Sequence, residues 1–272
     1  MTARFRLSSP PVNEVAFSAV MGPVNPALLP SYALDLFDVA GTHRFFADRF
    51  PGVERQVPVG QMEVAGMLGA PPVLLDEGRG ISPRWWFVSE DRSEVLQLQD
   101  RFWSYNWRRE QPFSSEAYPG FDDISARAIS TVETLWKASE AISKQTPVPA
   151  GCELMYSNLI LMQDDVGNAR RISDFLAFYS STDTINKMGW NLSWNETIGD
   201  SEAAMLRFKA GLGGFLHDDS AQVIPVLQLQ FVAGRQVSTW EEAFSFYNVA
   251  HEYIIKRFNE LTTEAAKKEW NA

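Results

Sequence analysis

The stretch Val95-Leu96-Gln97-Leu98-Gln99 occurs a second time, as Val226–Gln230. Each copy has the character of a strand followed by a helical stretch, and each comes after an earlier strand with the pattern Glu-x-x-aromatic-Ser. Those earlier strands are Glu14–Ser18 and Glu153–Ser157. The two matches are offset by 131 and 139 residues, which predicts one folding unit that is used twice. Leu96 and Leu227 are then expected on matching central strands.

The first copy lies in a stretch, 94–103, whose side chains alternate between apolar and polar. Leu96, Leu98 and Phe102 point one way, and Gln97, Gln99 and Arg101 point the other. A period of two is typical of a strand in an antiparallel sheet that is covered on one side. A strand over 84–89 is joined to this stretch by the turn 90–93, which predicts a hairpin.

Two long helices with apolar stripes are predicted after these strands. The first covers about 122–144, and Asp122 and Asp123 place carboxylates at its positive end. The second begins at Ser238 or Thr239, because each has a glutamate three residues later in the pattern of a capping box.

The predicted fold is therefore of the α+β class, with two pseudo-repeated units over 1–146 and 147–272. Each unit is an antiparallel sheet packed by a long C-terminal helix, and the two sheets are able to join into one continuous sheet. Joining would remove an exposed strand edge, which is an aggregation hazard. It would also form a cleft between the units, a common place for ligands. The linker is 145–151, which holds two prolines and a glycine.

The remaining elements follow from local patterns. A helix over about 28–39 and a loop over 66–83 precede the first hairpin, and a short helix over about 264–270 ends the chain. The other strands are predicted over 13–21, 53–64, 153–163, 171–180, 188–194, 203–211 and 222–232.

Charge and composition narrow the classes of function for these 272 residues. The net charge is −10, whereas binding to a phosphate backbone needs clustered Lys and Arg, so nucleic-acid binding is disfavoured. The single cysteine, Cys152, excludes an internal disulfide and a zinc site made of several thiolates. Residues 1–11 hold no apolar run, and no run in the chain is long enough to span a bilayer. A soluble, cytoplasmic protein without membrane contact is expected.

The most unusual segment is 100–110, where arginines are interleaved with aromatic rings. Such side chains can stack on bases or dock a protein, because Trp, Tyr and Arg dominate interface energetics. The same pattern arises where a strand end extends its arginines over an aromatic core, and the acidic balance favours this structural interpretation. The predicted binding residues are Arg101, Trp103, Tyr105, Asn106, Trp107, Arg108 and Arg109.

Metal binding and catalysis have no recognisable motif in the sequence. The histidines His43, His217 and His251 have no second His or Cys at ligand spacing, so no metal site, no cofactor and no catalytic residue are predicted. His251 lies on the apolar stripe of the last helix and is predicted to be a hydrogen-bonded core residue. His217-Asp218-Asp219 could bind a divalent ion or supply acid–base groups, although a solvated turn is the simpler interpretation.

Several stretches together resemble an uncharacterised, sporadically distributed prokaryotic family of roughly this length. The block Asn106-Trp107-Arg108 is the most specific, and Met155–Asn158 keeps the Tyr and Asn of the family pattern but lacks its Arg. The other matching stretches are Pro10–Val15, Arg49–Pro51, Leu98–Phe102 and His251–Phe258. The family has no assigned activity, and its patchy occurrence implies an accessory, mobile or defence-related role.

Three functions remain open. The first, which is favoured by the acidic composition and the absence of catalytic motifs, is a non-enzymatic binding or assembly protein. It would act in a multi-protein complex with a protein partner, in prokaryotic defence or toxin neutralisation. The second is a nucleic-acid-binding accessory protein that uses Arg101, Trp103, Trp107, Arg108 and Arg109. The third is a small-molecule enzyme whose site lies in the cleft between the units, with carboxylates near His217.

Overall fold

One antiparallel sheet dominates the computed structural model, which describes residues 7, 9–22, 39–56, 84–99, 102–109, 117–144, 146–164, 167–180, 190–199, 201–216 and 223–271. In this part of the chain the sheet has the strand order β2-β3-β4-β5-β1-β6-β9-β8-β7. The strands are β1 Val12–Met21, β2 Gly52–Gln56, β3 Arg84–Val88, β4 Glu94–Gln99, β5 Phe102–Arg108, β6 Pro149–Leu161, β7 Asn191–Ile198, β8 Ser201–Leu216 and β9 Val223–Gln236. The helices are α1 Val39–His43, α2 Phe121–Ser143, α3 Ile172–Phe175, α4 Trp240–Leu261 and α5 Glu264–Glu269.

The centre of the sheet is the antiparallel pair β1 and β6. Ala16 lies opposite Met155, Glu14 lies opposite Ser157, and Ser18 lies opposite Glu153. The two Glu-x-x-aromatic-Ser strands therefore pair with each other, symmetrically about Ala16 and Met155. The prediction of an α+β protein with an antiparallel sheet is confirmed, and the strands of both halves belong to one continuous sheet.

The two halves of the sheet follow the same order away from this centre over four strands each, and β2 at the outer edge of the first half has no counterpart. In each half the first strand lies beside the last strand, so β5, β4 and β3 correspond in position to β9, β8 and β7. The register fixes corresponding residues. Ala16 pairs outward with Asn106, and Met155 pairs outward with Val232, so Asn106 and Val232 hold corresponding positions.

The repeated pentapeptide does not follow this correspondence. Leu96 lies on β4, two strands away from the centre, whereas Leu227 lies on β9, directly beside β6. The prediction that these leucines occupy matching strands is wrong, and Leu96 corresponds instead to Phe208. The first copy is also followed by strand β5 and not by a helix.

The long helices pack on one face of the sheet, which we call the core face. Phe17 on β1 contacts Phe121 at the start of α2 and Tyr247 of α4, with ring centroids 5.7 and 5.1 Å apart. Farther along α4, Phe258 contacts Phe231 on β9 at 6.1 Å. All these rings are buried, and burial of apolar area is the main stabilising term of such a layer. Among the described residues, none of the helices combines the length and the apolar character needed to span a bilayer.

Several local predictions are confirmed. Helix α2 matches the predicted span, and Thr239 caps α4 as predicted, although the Glu242 carboxylate accepts from Ser238 N and not from the Thr239 N of a full capping box. Thr239 Oγ1 accepts a hydrogen bond from Glu242 N at 3.1 Å, while the Glu242 carboxylate accepts one from Ser238 N at 2.7 Å. The predicted loop 66–83, most of the predicted helix 28–39 and the part of the predicted strand 53–64 after Gln56 lie outside the described residues.

Two local predictions are wrong. The predicted strand 171–180 contains the helix α3, because Asp174 accepts a hydrogen bond from Arg171 N at 2.8 Å and Phe175 stacks on Trp270 at 6.4 Å. The stretch 94–103 is not a single strand, since β4 ends at Gln99 and β5 begins at Phe102. Alternation alone does not reveal where such a strand ends.

Candidate functional site

Strand β5 carries most of the predicted binding segment, and its alternation sends the rings to the core face. Trp103 and Tyr105 are 0% exposed and Trp107 is 1% exposed. Trp103 meets Trp240 of α4 at 5.8 Å, and Trp107 meets Tyr118 at 5.4 Å. Three of the predicted binding residues, Trp103, Tyr105 and Trp107, thus lie in the buried core, as in the structural interpretation of this segment. The three rings belong to the core because successive side chains of a strand point to opposite faces.

The polar members of the segment lie elsewhere. Asn106 and Arg108 point to the opposite side of the sheet, which we call the polar face. Arg109 lies past the end of β5, where its Nε donates to Val12 O at 2.8 Å and its Nη2 donates to Pro10 O at 3.3 Å. Arg109 thus binds the backbone at the start of β1. Arg101 lies outside the described residues.

Asn106 is the centre of a hydrogen-bonded network on the polar face. Its Nδ2 donates to Glu14 Oε1 at 2.6 Å, and its Oδ1 accepts from Ser104 Oγ at 2.7 Å and from Gln97 Nε2 at 3.0 Å. Ser18 Oγ donates to Ser104 Oγ at 2.9 Å and extends the network to the central strand. Asn106 is 4% exposed, so the network is a buried feature of the sheet.

Glu14 gives this network an unusual carboxylate. Burial raises the pKa of Glu14 above its usual 4.5, although the hydrogen bond from Asn106 and the charge of Arg108 act in the opposite direction. A carboxylate that is desolvated in this way is a marker of functional sites, as well as of structural networks. Sequence reasoning missed Glu14 as a site residue, although a glutamate inside an apolar strand was a visible signal.

Next to the network, two guanidinium groups lie against one indole ring. The guanidinium carbons of Arg84 and Arg108 are 5.3 and 5.5 Å from the ring centroid of Trp86. Arg84 and Trp86 share the polar face of β3, and Arg108 reaches over β4 from β5. We call Arg84, Trp86 and Arg108 the arginine–tryptophan patch. Each of the three residues is partly exposed.

The patch contains two donors that lack an acceptor. Arg84 Nε and Trp86 Nε1 are buried and have no acceptor among the described residues, as is also the case for Trp103 Nε1 and Trp136 Nε1. Arg84 does donate from Nη1 to Gln97 Oε1, at 3.4 Å, and burial lowers the pKa of Arg84. Arg108 Nε donates to Arg92 O at 3.2 Å. Sequence reasoning placed Arg108 in the site but missed Arg84 and Trp86, which the pairing of β3 with β4 brings beside it.

The second half of the sheet has no such patch at the corresponding positions. The register assigns Asn191 to the position of Arg84, Ser193 to that of Trp86 and Gly234 to that of Arg108. The same strand geometry therefore forms with small or neutral side chains at these three positions.

A cleft of about 550 Å³ lies where the two halves meet, at the end of β1 and β6. We call it the junction cleft. Its polar side chains include Asn13, whose Oδ1 is buried without a donor, and Arg109. Arg170 and Glu269, which also line the cleft, form a two-pronged ion pair with each other. A volume of this size fits a small molecule.

The remaining candidates have structural roles. His251 Nδ1 lies 2.8 Å from the Tyr156 hydroxyl, and its ring stacks on Phe121 at 3.9 Å, so the prediction of a hydrogen-bonded core histidine is confirmed. His43 Nε2 lies 2.7 Å from Phe50 O. Cys152 is buried, and burial raises the pKa of its thiol to about 12, which suppresses thiolate chemistry.

Metal ligands are not assembled in the described ranges, where no group of three or more His, Cys, Asp or Glu side chains is placed to hold an ion. His217-Asp218-Asp219 lies outside those ranges.

Comparison with known proteins returns no match: no family model, no curated protein and no solved structure is similar to this chain. The resemblance to a sporadically distributed family stays a prediction from the sequence.

Proposed function

We propose that the protein is a non-enzymatic binding protein that works in a complex with a protein partner, and that the arginine–tryptophan patch is its contact. One observation carries this proposal: the guanidinium groups of Arg84 and Arg108 lie over the ring of Trp86, and all three side chains are partly exposed on the polar face. Trp and Arg are also the residue types that most often dominate binding energy at protein interfaces.

The comparison between the halves supports a role beyond folding. Ser193 and Gly234 occupy the positions of Trp86 and Arg108 in the second half, which has the same order over its four strands but no counterpart of β2. The four shared strands therefore form without such a patch. Arginine and tryptophan side chains that are partly removed from water, and that the strand arrangement does not need, are best explained by a role in binding.

The nucleic-acid alternative loses its main support. Trp103 and Trp107 were the proposed stacking platforms, and both rings are buried in the core. The net charge of −10 also opposes binding to a polyanion.

The cellular role is proposed from the sequence alone. A part in prokaryotic defence or toxin neutralisation, in the cytoplasm, rests on the family resemblance and on the composition. We also propose that 1–146 and 147–272 derive from one duplicated unit. The symmetric pairing of Glu14 with Ser157 and of Ser18 with Glu153 supports this origin, as does the shared strand order.

The proposed function is tested by isolating the tagged full-length protein from its cells of origin. Three forms are compared: wild type, Arg84→Asn and Arg44→Asn. Arg44 is a matched control, because its guanidinium also lies over a ring, 5.0 Å from the centroid of Phe45, but away from the patch. We expect one stoichiometric partner with wild type and Arg44→Asn, and roughly tenfold less with Arg84→Asn, as for loss of a charge-assisted contact. Equal recovery with Arg84→Asn, or no stoichiometric partner with wild type, would contradict the proposal.

A second candidate function is binding or turnover of a small molecule in the junction cleft. The supporting observation is the polar lining, in which Asn13 Oδ1 is buried without a donor. Substituting Asn13 by Ala would then abolish the stabilisation of the protein by that molecule without changing partner binding. Retention of the stabilisation in Asn13→Ala would remove this candidate.

A further inference from the structure

The two outer edges of the described sheet differ in how well they are protected from pairing with another strand. One edge is β2, which has five residues and carries Glu54 and Arg55. Short, charged strands discourage pairing from edge to edge. The other edge is β7, which has eight residues, no proline and no lysine, and whose pairing with β8 is regular from Asn191 to Thr197. This edge lacks the usual protection over most of its length.

Part of the backbone of β7 faces away from the sheet. Trp190 O accepts a hydrogen bond from the backbone of β8 at 2.9 Å, so the groups of every second residue from Trp190 point to β8. The N–H and C=O groups of Ser193 and Asn195 therefore point outward, and they have no hydrogen-bond partner among the described residues. Farther along, Thr197 O accepts from the Tyr253 hydroxyl at 3.2 Å, which closes that end of the edge. The open stretch is thus centred near Ser193.

The one charged side chain of β7 is neutralised within the chain. Glu196 accepts hydrogen bonds from Arg257 Nε at 2.6 Å and from Arg257 Nη2 at 3.0 Å. Ser193, Asn195 and Thr197, on the polar face, are neutral and exposed. The chain as a whole has a net charge of −10, so two copies repel each other overall. An edge strand whose charge is neutralised is a place where two copies can meet without added repulsion.

Partly exposed apolar side chains adjoin the same strand on the core face. Phe178 is 42% exposed, and its ring lies 5.6 Å from that of Trp194. Leu192, two residues before Trp194 on the same face, is also partly exposed. Exposed apolar groups that lie together mark sites of association with another chain.

We propose that β7 pairs antiparallel with β7 of a second copy of this chain, so that two nine-stranded sheets continue into each other across a twofold axis at Ser193. In this register Leu192 lies opposite Trp194 of the second copy, and the same contact occurs twice. Aromatic and aliphatic side chains that face each other across a strand pair stabilise the sheet. The strand is therefore complementary to itself, which favours a second copy over a strand of another protein.

Two neighbouring registers fit less well. A pair centred on Trp194 would place Leu192 opposite Glu196, an apolar residue against a charged one. A pair centred on Leu192 would align only Asn191–Ser193 of β7. The register centred on Ser193 avoids both defects.

Cross-linking tests this register. Ser193→Cys places two thiols opposite each other, with Cα atoms about 5.5 Å apart, a separation that a disulfide spans. Asn195→Cys is the matched control, because it is exposed on the same face of the same strand but lies roughly 13 Å from its equivalent along the strand direction, beyond the reach of a disulfide. Cys152 is buried and does not compete. Under mild oxidation we expect roughly tenfold more linked dimer from Ser193→Cys than from Asn195→Cys.

Analytical ultracentrifugation measures the self-association without a cross-link. Wild type and Val53→Lys should shift from the mass of one chain to that of two as the concentration rises. Ser193→Lys should remain a single chain, because like charges directly opposite each other are destabilising. Val53, which is 40% exposed, is the control because it receives the same charge on the opposite edge strand, β2. The cysteine variants bring no charge, so they test the pairing even if Ser193→Lys fails to fold.

Three results would overturn the proposal: wild type that stays a single chain at every concentration, association of Ser193→Lys as strong as that of wild type, or equal cross-linking of the two cysteine variants. The first result is also the one expected if β7 receives a strand of another protein instead. This inference does not rest on the proposed function, because the arginine–tryptophan patch lies in the other half of the sheet.

Discussion

The two halves of the sheet agree on one face and differ on the other. On the core face, corresponding positions are apolar and buried in both halves, as with Tyr105 and Phe231 or Leu96 and Phe208. On the polar face, Trp86 corresponds to Ser193. Packing under the helices determines which residue types occur on the core face of both halves. The polar face of the first half carries the arginine–tryptophan patch, and the polar face of the second half has no equivalent of it.

This difference separates what the fold needs from what binding needs. Close packing makes each buried side chain of the core costly to shorten. This constraint is weaker in the arginine–tryptophan patch, because its three side chains are partly exposed. Substitutions on the two faces should therefore have different consequences.

The largest effect is expected on the core face, in both halves. Trp103→Ala should lower the free energy of unfolding by about 3–5 kcal/mol, and Leu229→Ala, at the corresponding position, by about 2–5 kcal/mol. The reason is the cavity left under α4 and its surroundings, where both side chains are fully buried. Urea unfolding followed by circular dichroism measures both values. A loss of less than about 0.5 kcal/mol for Trp103→Ala, as for a surface residue, would contradict the expected difference between the core face and the polar face.

Replacing a patch residue by its counterpart should affect binding and spare the fold. Arg84→Asn puts into the first half the residue type that Asn191 provides in the second. We expect its free energy of unfolding to stay within about 1 kcal/mol of wild type, because Arg84 makes one long hydrogen bond, to Gln97. Urea unfolding measures the change. A loss of several kcal/mol would show that the patch has a structural role.

Glu14 gives the polar face a dependence on pH. Because its pKa is raised in the folded state, the folded protein binds a proton more readily than the unfolded chain, and wild type gains stability as pH falls from neutral toward 4.5. Glu14→Gln keeps an acceptor for Asn106 and removes the charge. It should be more stable than wild type by about 1 kcal/mol at pH 7, and the difference should vanish near the unfolded pKa.

Thermal unfolding of both proteins between pH 4 and pH 8 checks this prediction. Glu133→Gln, on the exposed side of α2, is the control and should stay within about 0.5 kcal/mol of wild type. A difference between Glu14→Gln and wild type that grows as pH falls would have the wrong sign.

An effect of about the same size as that at Glu14 is expected at the helix starts, where the halves also differ. Thr239 caps α4 with its side chain, whereas α2 follows Gly120, which has φ 97° and no side-chain cap. Thr239→Ala should lower the free energy of unfolding by about 1 kcal/mol. Thr134→Ala, in the interior of α2, is the control and should change it by less than about 0.5 kcal/mol. Equal effects in chemical denaturation would remove the assigned role of the cap.

Sequence reasoning worked where a pattern is local. The stripe of α2 and the side-chain cap at Thr239 follow from spacing along one element, and both are confirmed. The repeated pentapeptide gave a wrong correspondence because the same residues can occur on strands that hold different positions in the sheet. Register is set by pairing across the sheet, and it matches Leu96 with Phe208.

The candidate site was only partly predictable for the same reason. Arg108 and Asn106 belonged to the predicted segment. The alternation of side chains along β5, however, buries Trp103, Tyr105 and Trp107 in the core. The patch joins β3 and β5 across β4, which no spacing along the chain reveals.

The most direct measurement of the contact is the indole N–H resonance of Trp86 in the presence and absence of the purified partner. A partner that docks on the arginine–tryptophan patch shifts this resonance in wild type and fails to shift it in Arg84→Asn at the same concentration. A partner that binds the wild-type protein while the Trp86 resonance stays in place would contradict the assignment of the patch as the contact.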